Sequence, residues 1–165
     1  MLARMLRHLW LPDWWRFRAY PAASLARIEA AVSAAEAGCR GEIRVAIEAA
    51  LDFQALWTGL SARGRAVEMF SALRVWDTED NDGVLLYVLL ADRDVEIVAD
   101  RGAAARVNPE AWEAVCSEME ARFRAGEYEA AILVGVARIG ELLADAGSGA
   151  PRTNTLPNRP TLIRR

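Results

Sequence analysis

The sequence predicts an α/β fold: a three-layer-like sandwich built on a small mixed β-sheet, with helices on both faces. The sheet combines a parallel βαβ unit with an antiparallel hairpin strand. Two strand signals and the chain between them carry this reading. Residues 41–48 alternate Ile43, Val45 and Ile47 against Glu42, Arg44 and Glu48, the period of a half-exposed strand. Residues 84–90 read VLLYVLL, a continuous apolar run that suits a central strand covered on both sides. A helix-length stretch separates the two, which makes them parallel with a right-handed crossover. Residues 95–99 follow after a tight turn and should pair antiparallel.

The remaining elements follow in order. Residues 1–22 form a basic aromatic arm, with Arg4, Arg7, Arg16 and Arg18 against Asp13 and with Trp10, Trp14 and Trp15 among them. Ser24 is placed to cap a helix that turns Leu25, Ile28, Val32 and Ala35 inward and stops at Gly38. A second helix is expected over residues 56–73, with Leu56, Leu60, Val67 and Phe70 inward. After the hairpin, Asn108 before Pro109 is an N-cap with proline at the first helical position. Trp112, Val115, Cys116, Met119 and Phe123 then form one helical stripe, which makes Cys116 a core thiol. Gly126 separates this helix from the last, which buries Tyr128, Ile132, Gly135, Val136, Ile139, Leu142 and Leu143. The domain thus spans residues 23–146, and residues 147–165 read as an extended, loosely held tail.

Composition removes whole classes of chemistry. All 20 basic residues are arginine, so a Schiff-base, Walker or general-base lysine is excluded. The lone histidine, His8, lies in the arm, far from any catalytic centre in the body of the chain. Cys39 and Cys116 stand 77 positions apart without a motif and read as free thiols. The net charge of −3 gives no electrostatic footprint for nucleic acid, and none is expected as a partner. No signal peptide and no apolar run long enough for a membrane span is legible, so a cytoplasmic location is expected.

The hairpin gathers carboxylates. With Asp92 and Arg93 as a two-residue turn, Leu85 would face Asp100, Val84 Arg101 and Gly83 Gly102. Asp-Arg is not a favoured hairpin turn, which leaves the register open by one or two residues. Either way Asp77, Glu79, Asp80, Asp82 and Asp100 converge on one end of the sheet, beside a helix C-terminus that adds partial negative charge. Arg74 and Arg101 are the nearby cations by sequence. A hard cation on Asp77, Asp80, Asp82 and Asp100 would relieve the repulsion, as would solvation or a basic partner. The loop does not fit the EF-hand pattern, because Thr78 and Leu89 fall where acidic ligands are wanted.

GEIRVAIE, the stretch VWDTEDNDGVLLYVLLADRDVEIVADRG and the later AW, M and FRAGEYEAAI together resemble the TPM domain family, over roughly residues 24–146. That family is named for a thylakoid lumen protein, a photosystem II repair protein and a modulator of a levamisole receptor. The resemblance implies a compact α/β sandwich. It also implies calcium binding in some members, acid phosphatase activity in a plant member and auxiliary roles in others. The family's acidic positions map onto Asp77, Asp82 and Asp100, with Arg101 beside them.

Three functions follow as expectations. The first is a binding module whose acidic corner holds Ca²⁺ and engages an unidentified protein partner. The second is a metal-dependent phosphomonoesterase. There Asp77 or Asp100 would be nucleophile or base, Arg101 would clasp phosphate, and Gly102 would let it approach the backbone. The third is a peripheral membrane factor that works through residues 1–20, with Arg4, Arg7, Trp10, Trp14 and Trp15 as its contacts.

Overall fold

The computed structural model describes residues 2–12, 14–147 and 154–163; Met1 and Asp13 of the arm and residues 148–153 and 164–165 of the tail lie outside them. Two helices open the chain, α1 (Leu2–Trp10) and α2 (Trp15–Ala19), followed by α3 (Ala22–Glu36) and strand β1 (Glu42–Glu48). Then come α4 (Phe53–Trp57), α5 (Ala62–Ala72), and the strands β2 (Gly83–Leu89) and β3 (Asp94–Ala99). The short α6 (Arg101–Ala104), α7 (Pro109–Arg124), α8 (Tyr128–Asp145) and β4 (Thr161–Ile163) complete the fold. The sheet order is β3-β2-β1-β4, with β1 parallel to both β2 and β4, and β2 antiparallel to β3.

The sheet alternates its apolar residues between two cores. Ile43, Val45 and Ile47 of β1 and Val84, Leu86 and Val88 of β2 face α3, α7 and α8. Ala46, Leu85, Tyr87, Leu89 and Val98 face the other way, against Ala62 and Ala66 of α5, Leu56 of α4 and Leu156 of the tail. This is the expected three-layer arrangement. The mixed sheet and the two covered faces were legible from the strand patterns.

Four sequence readings change. The helix expected over residues 56–73 is two helices. Gly59 (φ 74°) ends α4 in a left-handed turn that few other residues adopt, and Ser61 caps α5 by accepting the Gly64 N–H at 3.0 Å. The new phase turns Ala62 and Ala66 inward and leaves Val67 exposed. Ser24 is not a cap. The N-cap of α3 is Pro21, and Ser24 donates to Glu129 of α8 at 2.5 Å.

The β2–β3 turn spans four residues, so Leu89 faces Asp94 and Val84 faces Ala99. This is a shift of two from the two-residue turn. It still leaves Gly83 beside Asp100, whose N–H donates to Gly83 O at 2.9 Å.

The described part of the tail, residues 154–163, is held against the domain rather than loose. Thr161–Ile163 form β4, and β1 therefore becomes a central strand buried on both faces. The polar side of β1 is satisfied internally. Glu42 accepts from Thr155 N and Leu156 N at 2.8 and 2.6 Å, and the Arg44 guanidinium donates to Pro157 O, Arg159 O and Thr161 Oγ1. At the other end of the strand, Glu48 is 1% exposed. It takes Arg65 Nε and Nη2 at 2.9 and 3.0 Å and the Tyr87 hydroxyl at 2.6 Å.

Candidate functional site

The acidic corner is assembled by two left-handed turns. At the end of α5, Arg74 N–H donates to Ser71 O at 3.1 Å and Val75 N–H to Phe70 O at 3.0 Å, with Arg74 itself at φ 54°. This is a Schellman turn with arginine where glycine is usual. The chain turns again at Asn81, also φ 54°, after Thr78 Oγ1 has accepted the Asp82 N–H at 3.0 Å. Gly102 closes the corner from the other side. Its N–H donates to Asn81 O at 2.7 Å, and a Cβ there would overlap Asp80 O and Asn81 O. The room at Gly102 is therefore filled by the acidic loop itself, and the backbone approach offered to a phosphate is occupied.

The carboxylates have separate neighbours. Asp77 pairs with Arg74 at 2.6 Å, and Arg74 also lies 5.6 Å over the Trp76 ring. Asp80 pairs with Arg40, and Glu79 is exposed. Asp82 is buried, with the Arg106 guanidinium 4.0 Å away; burial, then the neighbouring Asp80, raises its pKa. Asp100 spends Oδ1 on the Arg101 N–H at 2.7 Å, which caps α6, while its Oδ2 is buried with no hydrogen-bond partner. Arg101 reaches Asn81 Oδ1 at 3.5 Å.

Among the described residues, no three His, Cys, Asp or Glu side chains converge as a metal-ligand group. The four carboxylates expected to share a cation thus divide. Asp77 and Asp80 are each held by an arginine, and Asp82 and Asp100 form the buried floor of the corner. Arg40 and Arg106, which temper the repulsion, were not legible as partners, because they reach the corner from the loops before β1 and after α6.

The arm occupies the opposite end of the sheet, past the C-terminal ends of β1 and β2. Arg4 and His8 point inward, and Arg7 reaches their shared partner, Asp92, from the surface. Arg4 Nε and Arg7 Nη2 donate to Asp92 in the β2–β3 turn, each at 2.8 Å, and Arg4 Nη1 donates to Leu60 O at 2.9 Å. His8 is fully buried, with Nε2 3.1 Å from Asp92 and Nδ1 accepting the Leu51 N–H at 2.9 Å. Burial alone would raise the Asp92 carboxyl, but hydrogen bonds from His8, Arg4 and Arg7 outweigh it and hold the group well below the usual carboxylate range. Of the contacts offered to a membrane or partner, Arg4 and Arg7 are therefore engaged within the molecule. Trp15 packs edge-on against Tyr128 with ring centroids 5.0 Å apart. Trp10 and Trp14 remain exposed.

The two thiols are packed away from chemistry. Burial, then Glu96, pushes Cys116 up to about 12, and burial raises Cys39. Among the described residues no helix is long and apolar enough to cross a membrane.

No curated protein matches the sequence. Among solved structures, the fold is similar to the BA42 protein of the psychrophilic bacterium Bizionia argentinensis, determined by NMR. The TM-score is 0.75 at 24% identity, covering 87% of this chain and 95% of that one. It is also similar to the N-terminal domain of the cg2496 protein of Corynebacterium glutamicum, with a TM-score of 0.55 at 11% identity over 87% of this chain and 80% of that one. At these identities the likenesses speak for the fold alone. The sequence matches the TPM domain over residues 21–142, within which lie the βαβ unit, the hairpin and the acidic corner, and the chain belongs to the TPM domain family.

Proposed function

We propose that the chain is a TPM binding module whose acidic corner takes a divalent cation of the calcium class and presents that end of the sheet to a protein partner. The observation that carries this reading is Asp100 Oδ2, a buried carboxylate oxygen with no hydrogen-bond partner, on the strand end beside the buried Asp82. Burying such an oxygen unpaired is costly, and a hard cation would satisfy it. Asp82 and Asp100 would hold the ion. Asp77 and Asp80 could join only by leaving Arg74 and Arg40. A site with few committed carboxylates belongs to the weak end of calcium affinities, about 10⁻⁴–10⁻³ M.

The supporting chemistry is that of binding rather than phosphoryl transfer. The transferred group needs several donors aimed at its equatorial oxygens. Here the Gly102 N–H is spent on Asn81, and Arg101 stands at the rim. Calcium titration followed by thermal melting tests the reading. At ~100 Kd of free ion, about 2.7 kcal/mol of stabilisation is expected, or a rise of roughly 6–10 °C in a domain of this size. The rise should vanish in Asp82→Asn/Asp100→Asn. With a Kd of about 10⁻⁴–10⁻³ M, ~100 Kd is ~10–100 mM calcium. An unchanged melting curve at ~100 mM calcium, or an equal rise in the double variant, therefore overturns the reading.

A further inference from the structure

Helix α1 is inverted relative to an ordinary surface helix. Its polar residues Arg4 and His8 face the protein, while Leu2, Leu6, Leu9 and Trp10, at i, i+4, i+7 and i+8, are 74, 48, 57 and 84% exposed. The spacing puts these four on one stripe. Trp14, beyond the helix, is exposed as well. The adjoining α4 adds the exposed Phe53 and Trp57, whose rings stack 5.9 Å apart. Large exposed apolar side chains gathered on two adjoining helices mark an interaction site.

The charge beside the stripe selects the occupant. Helix α1 carries no acidic residue. A cleft of about 670 Å³ opens beneath Trp10 and Leu11, and Arg7, Arg93 and Arg124 line it. Arg93 is exposed at the left-handed position of the β2–β3 turn, φ 54°. The carboxylates in the same cleft are Asp92, Asp94 and Glu120. Asp92 is already met by Arg4, Arg7 and His8, and Glu120 by Arg124 at 2.9 Å. Asp94 is half-buried at its wall, with its carboxyl pushed up to about 6 by burial, then by Glu96 and Glu120. An apolar stripe with tryptophan at its edge and arginine alongside is the composition of a helix that lies in a membrane interface.

We propose that α1 docks in the plane of an anionic lipid surface, with Leu2, Leu6, Leu9 and Trp10 entering the headgroup–acyl boundary and Arg93, the cleft arginine not spent on a carboxylate among the described residues, meeting lipid phosphate. This surface is at the opposite end of the sheet from the acidic corner, so the proposal stands or falls independently of the cation reading.

The test is co-sedimentation of the full chain with vesicles of phosphatidylcholine alone and of phosphatidylcholine mixed with phosphatidylglycerol, with tryptophan emission read in parallel. Binding to the anionic vesicles, a blue shift of emission and weakening by salt are expected. Leu9→Glu and Trp10→Glu change exposed positions. Each should lower the partition by about tenfold or more, with the melting curve and the calcium response unchanged. Arg93→Glu should weaken anionic binding and leave the neutral baseline alone. Absence of binding to anionic vesicles overturns the proposal, as does binding that Leu9→Glu and Trp10→Glu leave intact. A concentration-dependent dimer that the same variants abolish, without vesicle binding, would assign the surface to a second copy of the chain instead.

Discussion

His8 Nε2 lies 3.1 Å from Asp92 while Nδ1 accepts the Leu51 N–H at 2.9 Å, so one buried imidazole joins the arm to the ends of two strands. Because Nδ1 accepts, Nε2 is the ring nitrogen turned to the Asp92 side, at ion-pair distance from the carboxylate. Removing the carboxylate takes the anion from beside the buried His8 and releases both arm arginines. Asp92→Ala is therefore expected to cost about 2–3 kcal/mol, below the figure for a fully buried pair because Arg4 and Arg7 are partly solvated. Urea unfolding measures it. Changing His8 to Phe in the same background should cost much less than in the wild type, since the two share one interaction. Additive losses would mean that the arm is held by something other than Asp92.

This junction shows where sequence reasoning ran out. The βαβ unit, the hairpin and the α7 stripe follow local periods of two and 3.6, so they could be read directly. The acidic residues could be placed at one strand end because adjacent strands share ends whatever the register. Nothing local paired Arg4 with Asp92, Arg40 with Asp80 or Glu42 with Thr155, because each contact spans 40 to 113 positions. The polar side of β1 was read as solvent-facing for the same reason. Alternation reports which residues differ, and Glu48 is buried only because Arg65 and Tyr87 arrive from other elements. Strand β4 has three residues, too few to carry a period.

The Glu48 cluster makes the next prediction. Its carboxylate holds a bidentate arginine and a buried hydroxyl, and burial followed by the Glu48 charge raises the Tyr87 phenol. Glu48→Ala leaves the Tyr87 hydroxyl and Nε and Nη2 of Arg65 without their acceptor beneath α5, with Arg65 keeping Glu68 through Nη1, and should cost about 3–5 kcal/mol. Replacing Glu48, Arg65 and Tyr87 together by apolar residues of similar size should recover most of that loss. A triple variant as unstable as Glu48→Ala would show that the lost packing, not the stranded charge, sets the cost.

Arg74 separates stability from cation binding. Arg74→Gly removes a side chain from the left-handed position, a gain of roughly 0.5–1 kcal/mol. It also loses the exposed Asp77 pair and the Trp76 stacking, together worth a similar amount. The melting temperature without calcium should therefore stay close to wild type. The calcium-induced rise should grow, because Asp77 is freed for the corner. A rise no larger than that of the wild type would mean that Asp77 takes no part.

The pH dependence of stability follows from carboxyls raised by burial, Glu36 and Asp94 with Asp82 and Glu96 in the same direction, and from Asp92 and Glu129, which are lowered by their partners. Burial pushes Glu36 up to about 7, although it accepts the Ile43 N–H at 2.7 Å, and burial followed by Glu96 and Glu120 pushes Asp94 up to about 6. Between the ordinary carboxylate range near 4 and these values, the folded chain holds protons that the unfolded chain releases. Stability must fall as pH rises through that window, because the native state binds the extra protons. Asp92 acts in the opposite sense. Its carboxyl is held low in the fold, so its contribution is present above the unfolded value and is lost as pH falls below about 4. The two trends cross, and maximal stability is expected near about pH 4.5–5, below the neutral range. Urea midpoints measured from pH 4 to pH 8 should decline steadily above that maximum. Glu36→Gln keeps an acceptor for the Ile43 N–H and removes the titration, so it should flatten the decline toward pH 7 and stabilise the protein most at pH 8. A wild-type midpoint that is level or rising from pH 5 to pH 7 would mean that Glu36 and Asp94 reach solvent more freely than their burial implies.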